Sequence, residues 1–182
     1  MAARTLVTSG MVDEVVIADN RYDAACSYAG ELGPKASATR VDAAEPGSLL
    51  KAMEGSDVVL NCIGPFYRFG PPVLSAAIEA GIPYVDVCDD LDATERMLEL
   101  DGKARAAGIG ALIGMGNSPG MANVLARWCV DSMLDQVEEV FTRRNPDQPR
   151  ELEEFAAALR SLDAPAAGGP DGSAPTRPAG VL

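Results

Sequence analysis

The chain has 182 residues, 47% of them hydrophobic, which suits one folded domain with its own core. Its net charge of −12 argues against nucleic acid or an anionic membrane surface as a partner. The lack of histidine excludes His-based catalytic triads and HExxH zinc sites. No apolar run is long enough to span a membrane, and the N-terminus does not resemble a secretory signal. We therefore expect a cytoplasmic protein with four reduced cysteines and no metal site.

Short apolar runs alternate with segments of helical periodicity over the first 142 residues. Strands are predicted at 14–19, 38–42, 57–62, 83–87, 109–113 and 137–142. Helices are predicted at 2–9, 21–32, 48–54, 72–80, 92–107 and from Pro119 to about Met133. Ser48 is the predicted N-cap of the third helix, and either Asp92 or Thr94 is the predicted N-cap of the fifth. Pro72 is predicted to start the fourth. This alternation indicates an α/β fold with a doubly wound parallel sheet.

The composition changes after residue 142. Residues 143–163 read as a linker that contains a short helix at 151–162. Residues 164–182 are rich in Ala, Gly and Pro and have almost no large apolar side chains. Such a segment cannot bury enough surface to offset its ordering entropy, so we expect a disordered tail. The folded domain is therefore predicted to be 1–142.

The stretch from Asp57 to Asp90 predicts two buried strands joined by a crossover helix. Gly64 and Pro65 interrupt the chain after the first strand, and Gly81 ends the helix where a left-handed residue is favoured. Such a βαβ unit is parallel and right-handed, and ligands bind at the carboxyl ends of its strands. The polar residues at those two ends are Asn61, Cys62, Asp86, Cys88, Asp89 and Asp90.

Three segments resemble the NAD(P)-binding domain of the saccharopine dehydrogenase family: DVVLNCIGPFYRFG at 57–70, AAIEAGIPYVDVCDD at 76–90 and GMGNSPGMANVLAR at 114–127. With the spacing between them, the resemblance covers about residues 2–142. It implies an NAD(P)-dependent oxidoreductase that acts on a C–N bond of an amino acid, with NAD or NADP as cofactor. It also implies a small-molecule substrate and leaves a homodimer open.

The chain departs from this family pattern at both ends. The residues before Asp19 contain no GxGxxG, and residues 2–9 read as a helix where the family has a strand and a glycine-rich loop. We expect a Rossmann-like fold that lacks its first strand and glycine-rich loop, in a chain truncated at both ends. The alternative function is a non-catalytic fragment that serves at most as a weak nucleotide-binding or interaction module.

Asp19 ends the strand at 14–19, where the acid of the dinucleotide-binding fingerprint is expected. Its carboxylate would accept hydrogen bonds from ribose hydroxyls, which favours NAD, whereas Arg21 would pair with a 2′-phosphate, which favours NADP. Alternatively, Asp19 only caps the next helix. Asp42 is either a contact of the adenine edge or a solvated acid at a strand end. All three residues are cofactor-binding candidates.

The loop after the strand at 57–62 is expected to lie closest to the cofactor. Gly64 would let the backbone approach a ribose or the nicotinamide, because glycine has no side chain. The candidates for cofactor contact in this loop are Asn61, Cys62, Gly64 and Pro65.

The resemblance implies that the second strand of the central stretch ends beside the nicotinamide and the substrate amine. Adjacent carboxylates raise one another's pKa, so Asp86 and Asp89 are predicted as catalytic proton acceptors and Cys88 as a cofactor contact. The alternative is that these acids only favour the start of the next helix. Gly116, in a glycine-rich turn without a P-loop lysine, would offer its backbone N–H to the cofactor.

Overall fold

The computed structural model describes residues 2–133. The predicted strand at 137–142, the linker and the tail lie outside these residues. Helices α1 to α7 are Ala2–Ser9, Tyr22–Leu32, Pro46–Met53, Phe66–Ala80, Leu91–Leu98, Asp101–Ala107 and Ala122–Met133. Strands β1 to β5 are Val15–Asp19, Ala36–Arg40, Val59–Asn61, Tyr84–Asp86 and Ala111–Leu112. The predicted α/β class is confirmed.

The chain divides into two units between Gly114 and Met115. The first unit holds α1 to α6 and all five described strands, which form two sheets. Strand β1 pairs in parallel with β2, and β3, β4 and β5 form a three-stranded parallel sheet. Among the described residues, no ladder joins β1 to β3. This gap lies where the predicted strand order 3-2-1-4-5-6 has its first strand.

The strands were predicted to be buried on both faces, and this is wrong for β1 and β3. Val16 is 44% exposed and Leu60 38% exposed. One face of the three-stranded sheet packs in a core with α4 and α5 through Val59, Tyr84 and Ala111. The opposite face carries alternate residues of the same strands, which no comparable cluster covers among the described residues.

Helix α3 begins before its predicted start because Pro46 occupies its first turn. Proline suits that position since its missing N–H has no helical partner there. Ser48 was predicted as the N-cap but lies inside the helix, where its Oγ accepts a hydrogen bond from the N–H of Asp42 at 2.8 Å. The residue at the N-cap position is Glu45.

Helix α4 begins at Phe66, six residues before the predicted start at Pro72. Pro71 and Pro72 therefore lie inside the helix, where proline removes a backbone donor. The carbonyl of Tyr67 would otherwise accept from the residue at 71. It accepts instead from Nη1 of Arg96 on α5, at 3.1 Å. A side chain from the neighbouring helix thus replaces one hydrogen bond that proline removes.

The predicted single helix at 92–107 is two helices, α5 and α6, separated at Glu99 and Leu100. Leu100, at the break between the two helices, packs against the core cluster that contains Met97. The N-cap of α5 is Asp90 rather than Asp92 or Thr94. Oδ1 of Asp90 accepts from the N–H of Ala93 at 2.9 Å.

Gly81 ends α4 with a φ of 70°, in the left-handed region that favours glycine. We expect Gly81→Ala to lower the free energy of unfolding by about 1 kcal/mol, because an L-residue is strained there. Gly30→Ala is the matched control. Gly30 lies within α2 with open space around its Cα, and the same change there should stabilise by about 0.5–1 kcal/mol. Chemical denaturation of both variants measures this, and equal shifts would contradict the prediction.

Candidate functional site

The carboxyl ends of β1 and β2 bring one acid and two arginines together. Oδ1 of Asp19 accepts a hydrogen bond from the N–H of Arg21 at 2.8 Å, and Nε of Arg21 lies 3.6 Å from the same oxygen. The Arg21 side chain is 79% exposed. Asp19 and Arg40 are partners in the parallel register, and Arg40 is exposed. Sequence reasoning missed Arg40, because its proximity depends on the register of two separate strands.

Asp42 was predicted to end its strand, but β2 ends at Arg40 and Asp42 lies in the turn that follows. Its carboxylate accepts a hydrogen bond from the N–H of Ala44 at 2.9 Å. Together with the hydrogen bond to Ser48, this contact shapes the entry into α3. The side chain is exposed, and its contact with adenine stays a prediction.

The residues at the end of β3 and in the loop before α4 differ in solvent exposure. Cys62, Gly64 and Pro65 are exposed, whereas Asn61 is only 2% exposed. Oδ1 of Asn61 accepts a hydrogen bond from the N–H of Ile63 at 2.9 Å. Asn61 therefore stabilises the loop from its buried position, while Cys62, Gly64 and Pro65 are accessible to a ligand.

A chain of buried hydrogen bonds links the ends of β3 and β4. Nδ2 of Asn61 donates to the hydroxyl of Tyr84 at 2.9 Å, and that hydroxyl donates to Oδ2 of Asp86 at 2.9 Å. Oδ1 of Asp86 accepts from the N–H groups of Cys88 at 3.0 Å and Gly114 at 2.7 Å. Asp86 thus ties the loops that follow β4 and β5 to its own strand.

Tyr84 is the residue of this cluster that sequence reasoning did not select. Residues i and i+2 of a strand share one face, so the signal was the spacing of Tyr84 and Asp86 within the PYVDV segment. Burial raises the pKa of the Tyr84 hydroxyl. The hydrogen bond from Asn61 lowers it, and the nearby Asp86 raises it further. The hydroxyl therefore stays protonated and remains a donor across the ordinary pH range.

The residues after β4 differ in accessibility. Cys88 is fully buried, and burial raises the pKa of its thiol. Its sulfur lies 3.5 Å from the backbone nitrogen of Asp90, which caps α5. Asp89 is exposed, in contrast to Asp86, which is fully buried with both oxygens engaged by protein donors. Of the two predicted proton acceptors, Asp89 is the accessible one.

Gly116 belongs to the second unit, in an irregular turn before α7. Its carbonyl accepts a hydrogen bond from the N–H of Met121 at 2.9 Å. Within this turn, Ser118, Pro119 and Gly120 have non-helical backbone angles, so the helix begins at Ala122 rather than at the predicted Pro119.

Two further properties concern residues 2–133 as a whole. Their Cys, Asp and Glu side chains form no group of three or more that could hold a metal ion. None of their helices is both long and apolar enough to cross a membrane. The cytoplasmic location and the homodimer stay predictions.

Relatives of this chain include several oxidoreductases. A protein of Arabidopsis thaliana, named a probable mitochondrial saccharopine dehydrogenase-like oxidoreductase, is 33% identical over 104 residues, which are 53% of this chain and 23% of the relative. A trans-acting enoyl reductase of Mycobacterium ulcerans is 30% identical over 139 residues, 72% of this chain and 30% of the relative. The chain thus spans about a quarter of the length of the curated relatives it matches.

Among solved structures, the apo form of saccharopine dehydrogenase (L-Glu forming) from Saccharomyces cerevisiae superposes with a TM-score of 0.60 at 25% identity. The match covers 71% of this chain and 28% of the yeast chain, and it confirms the Rossmann-like fold. The family model of the saccharopine dehydrogenase NADP binding domain matches residues 1–112. The chain therefore belongs to the saccharopine dehydrogenase family and carries its NAD(P)-binding domain.

Proposed function

We propose that this chain supplies the NAD(P)-binding part of an oxidoreductase of the saccharopine or lysine dehydrogenase type, which acts on a C–N bond of an amino acid. The observation that carries the proposal is the exposed Cys62–Pro65 loop at the end of a parallel strand, within a domain of this family. When bound, the nicotinamide would accept or donate a hydride. The protein's residues would bind and orient it.

Asp19, Arg21 and Arg40 suit the adenosine end of the cofactor. The Asp19 carboxylate can accept hydrogen bonds from ribose hydroxyls, and the two arginines add positive charge beside it. Two exposed arginines at the carboxyl ends of neighbouring strands, with one carboxylate among them, favour a 2′-phosphate, and so NADP over NAD. Asp42, in the turn after β2, is the proposed contact of the adenine edge.

The nicotinamide end would lie against the loop after β3. Cys62, Gly64 and Pro65 are the exposed residues that would contact it, and Asn61 would hold the loop in place. We also retain the backbone around Cys88 and Gly116 as proposed contacts, since N–H groups there can bind a carboxamide or phosphate oxygen.

Asp89 is the better candidate for proton transfer to or from the substrate. An acid that exchanges protons with a substrate must reach it directly or through one water. Asp89 is exposed, whereas Asp86 is buried and its oxygens already accept hydrogen bonds from the protein. The buried position supports a positioning role for Asp86.

The similarity to a relative named as an enoyl reductase favours a second candidate reaction, the reduction of a carbon–carbon double bond. Both reactions use the same hydride donor and differ in the substrate. Incubation of the protein with NADPH and either a 2-oxo acid plus an amino acid or an enoyl thioester separates them. Oxidation of NADPH with the first pair alone supports the C–N reaction. Turnover with neither, together with no binding of NADPH, supports a non-catalytic interaction module.

The test of cofactor binding is a fluorescence titration with NADPH and NADH. We expect a dissociation constant weaker than about 1 µM, because residues 1–18 contain no glycine-rich loop to hold the pyrophosphate. Arg21→Ala should weaken NADPH about ten-fold, through loss of a charge-assisted hydrogen bond, and change NADH little.

Lys103→Ala removes an exposed positive charge on α6 and is the matched control, with no expected change. Equal effects of both variants would contradict the role of Arg21. Failure of the unmodified chain to bind either cofactor at millimolar concentration would overturn the proposed cofactor binding.

A further inference from the structure

We propose that the buried Asn61–Tyr84–Asp86 chain sets the backbone conformation of the three loops that follow β3, β4 and β5, with the Tyr84 hydroxyl as its central positioning group. The proposal rests on the proposed function in one respect, namely that the first of these loops contacts the cofactor. It adds a residue that touches no cofactor and acts through its neighbours.

The three side chains are closed off from solvent. Asn61 is 2% exposed, Tyr84 1% and Asp86 0%. Every buried side-chain nitrogen and oxygen among the described residues has a hydrogen-bond partner. The three side chains therefore have little freedom to rotate, because any rotation would leave a buried polar atom unpaired.

At each end of this hydrogen-bond chain, the side chain accepts hydrogen bonds from backbone N–H groups. At one end, Oδ1 of Asn61 accepts from the N–H of Ile63 at 2.9 Å, in the loop before Gly64. At the other end, Oδ1 of Asp86 accepts from the N–H groups of Cys88 and Gly114 at 3.0 and 2.7 Å. These amides belong to the three loops at the carboxyl ends of adjacent parallel strands, where an α/β sheet binds its ligand.

The Tyr84 hydroxyl couples the two ends because it accepts from Asn61 and donates to Asp86. Without it, Nδ2 of Asn61 and Oδ2 of Asp86 would both be buried and unpaired. The amide of Asn61 would then turn to find another partner and release the N–H of Ile63. Loss of one hydroxyl in the core would thus loosen a loop that the residue does not itself touch through a hydrogen bond.

The packing around Tyr84 allows the role of its hydroxyl to be separated from that of its ring. The ring lies in the main core cluster with Leu74, Ala77 and Met97, so Tyr84→Phe preserves its apolar contacts. Tyr28→Phe, on α2, removes a hydroxyl from a partly buried tyrosine outside this cluster and is the matched control.

The first measurement is amide hydrogen exchange, which requires no cofactor. In Tyr84→Phe we expect the amide of Ile63 to exchange at least ten-fold faster, while the amide of Ala77 in α4 changes little. Equal acceleration at both amides would indicate general destabilisation and overturn the proposal. No acceleration at Ile63 would overturn it as well.

The second measurement compares two ligands of the full chain, NADPH and adenosine 2′,5′-bisphosphate. Tyr84→Phe should weaken NADPH about ten-fold and leave the adenosine fragment unchanged, because the proposed contacts of the fragment are Asp19, Arg21, Arg40 and Asp42, at the ends of β1 and β2. Equal weakening of both ligands, or of neither, would overturn the link between the buried chain and the nicotinamide end. If the unmodified protein binds neither ligand, the proposed function fails, and hydrogen exchange alone decides the positioning role.

Discussion

Asp86→Ala is expected to lower the free energy of unfolding by about 3–5 kcal/mol, or to prevent folding. The carboxylate accepts hydrogen bonds from the Tyr84 hydroxyl and from the N–H groups of Cys88 and Gly114. Its removal leaves three donors unpaired in a region that water does not reach, and each unpaired buried donor costs roughly 1–3 kcal/mol. Chemical denaturation followed by circular dichroism measures the loss.

Asp86→Asn keeps the shape of the side chain but replaces one acceptor oxygen with a donor NH₂ group. Its amide oxygen can still accept from the two backbone N–H groups, but its NH₂ group would face the Tyr84 hydroxyl, which must then reorient. We therefore expect a loss between that of the alanine variant and zero. Asp57→Ala, at an exposed acid just before β3, should change stability little. A loss for Asp86→Ala no larger than that for Asp57→Ala would refute the structural role of the buried carboxylate.

A strand supplied to the unpaired edges of β1 and β3 is expected to raise the melting temperature by about 10 °C or more and to reduce aggregation. Neither strand has a ladder partner on one side among the described residues, so each presents a row of backbone N–H and C=O groups. Apolar side chains beside these edges are also exposed, with Val16 at 44%, Val58 at 51% and Leu60 at 38%. A parallel strand would pair the backbone groups and bury part of this surface.

The experiment extends the chain upstream by about 15–20 residues that encode a strand and a glycine-rich turn, within the usual size of βαβ units. The control is an extension of equal length in which the strand residues are replaced by Gly and Ser. Thermal unfolding and light scattering of the three proteins are compared. If the unextended protein is monomeric and melts as high and as cooperatively as the extended one, the unpaired edges have no energetic consequence.

The sequence by itself determined the class of fold and the position of most elements. Apolar runs that end in Gly, Pro or acids are local signals, and they placed all five strands of residues 2–133 within a few residues. The same signals identified Asp19, Asn61 and Asp86 as candidate site residues, because polar residues at the end of a buried run lie at the ligand-binding edge of a parallel sheet. The order of helices and strands likewise predicted the parallel pairing within both sheets.

The tertiary structure alone decided what these residues do. Pro72 was predicted to start a helix, yet α4 already begins at Phe66 and continues through Pro71 and Pro72. Arg96, 29 residues after Tyr67, provides a donor to the carbonyl of Tyr67. Asp86 was predicted as a proton acceptor, yet it is fully buried, and Tyr84 and Gly114 donate hydrogen bonds to its two oxygens. Asn61 and Tyr84 are 23 residues apart, and Asp86 and Gly114 are 28 apart. Periodicity and turn preference report only on neighbours in the chain, whereas burial and hydrogen-bond partners depend on segments that meet only after the sheet has formed.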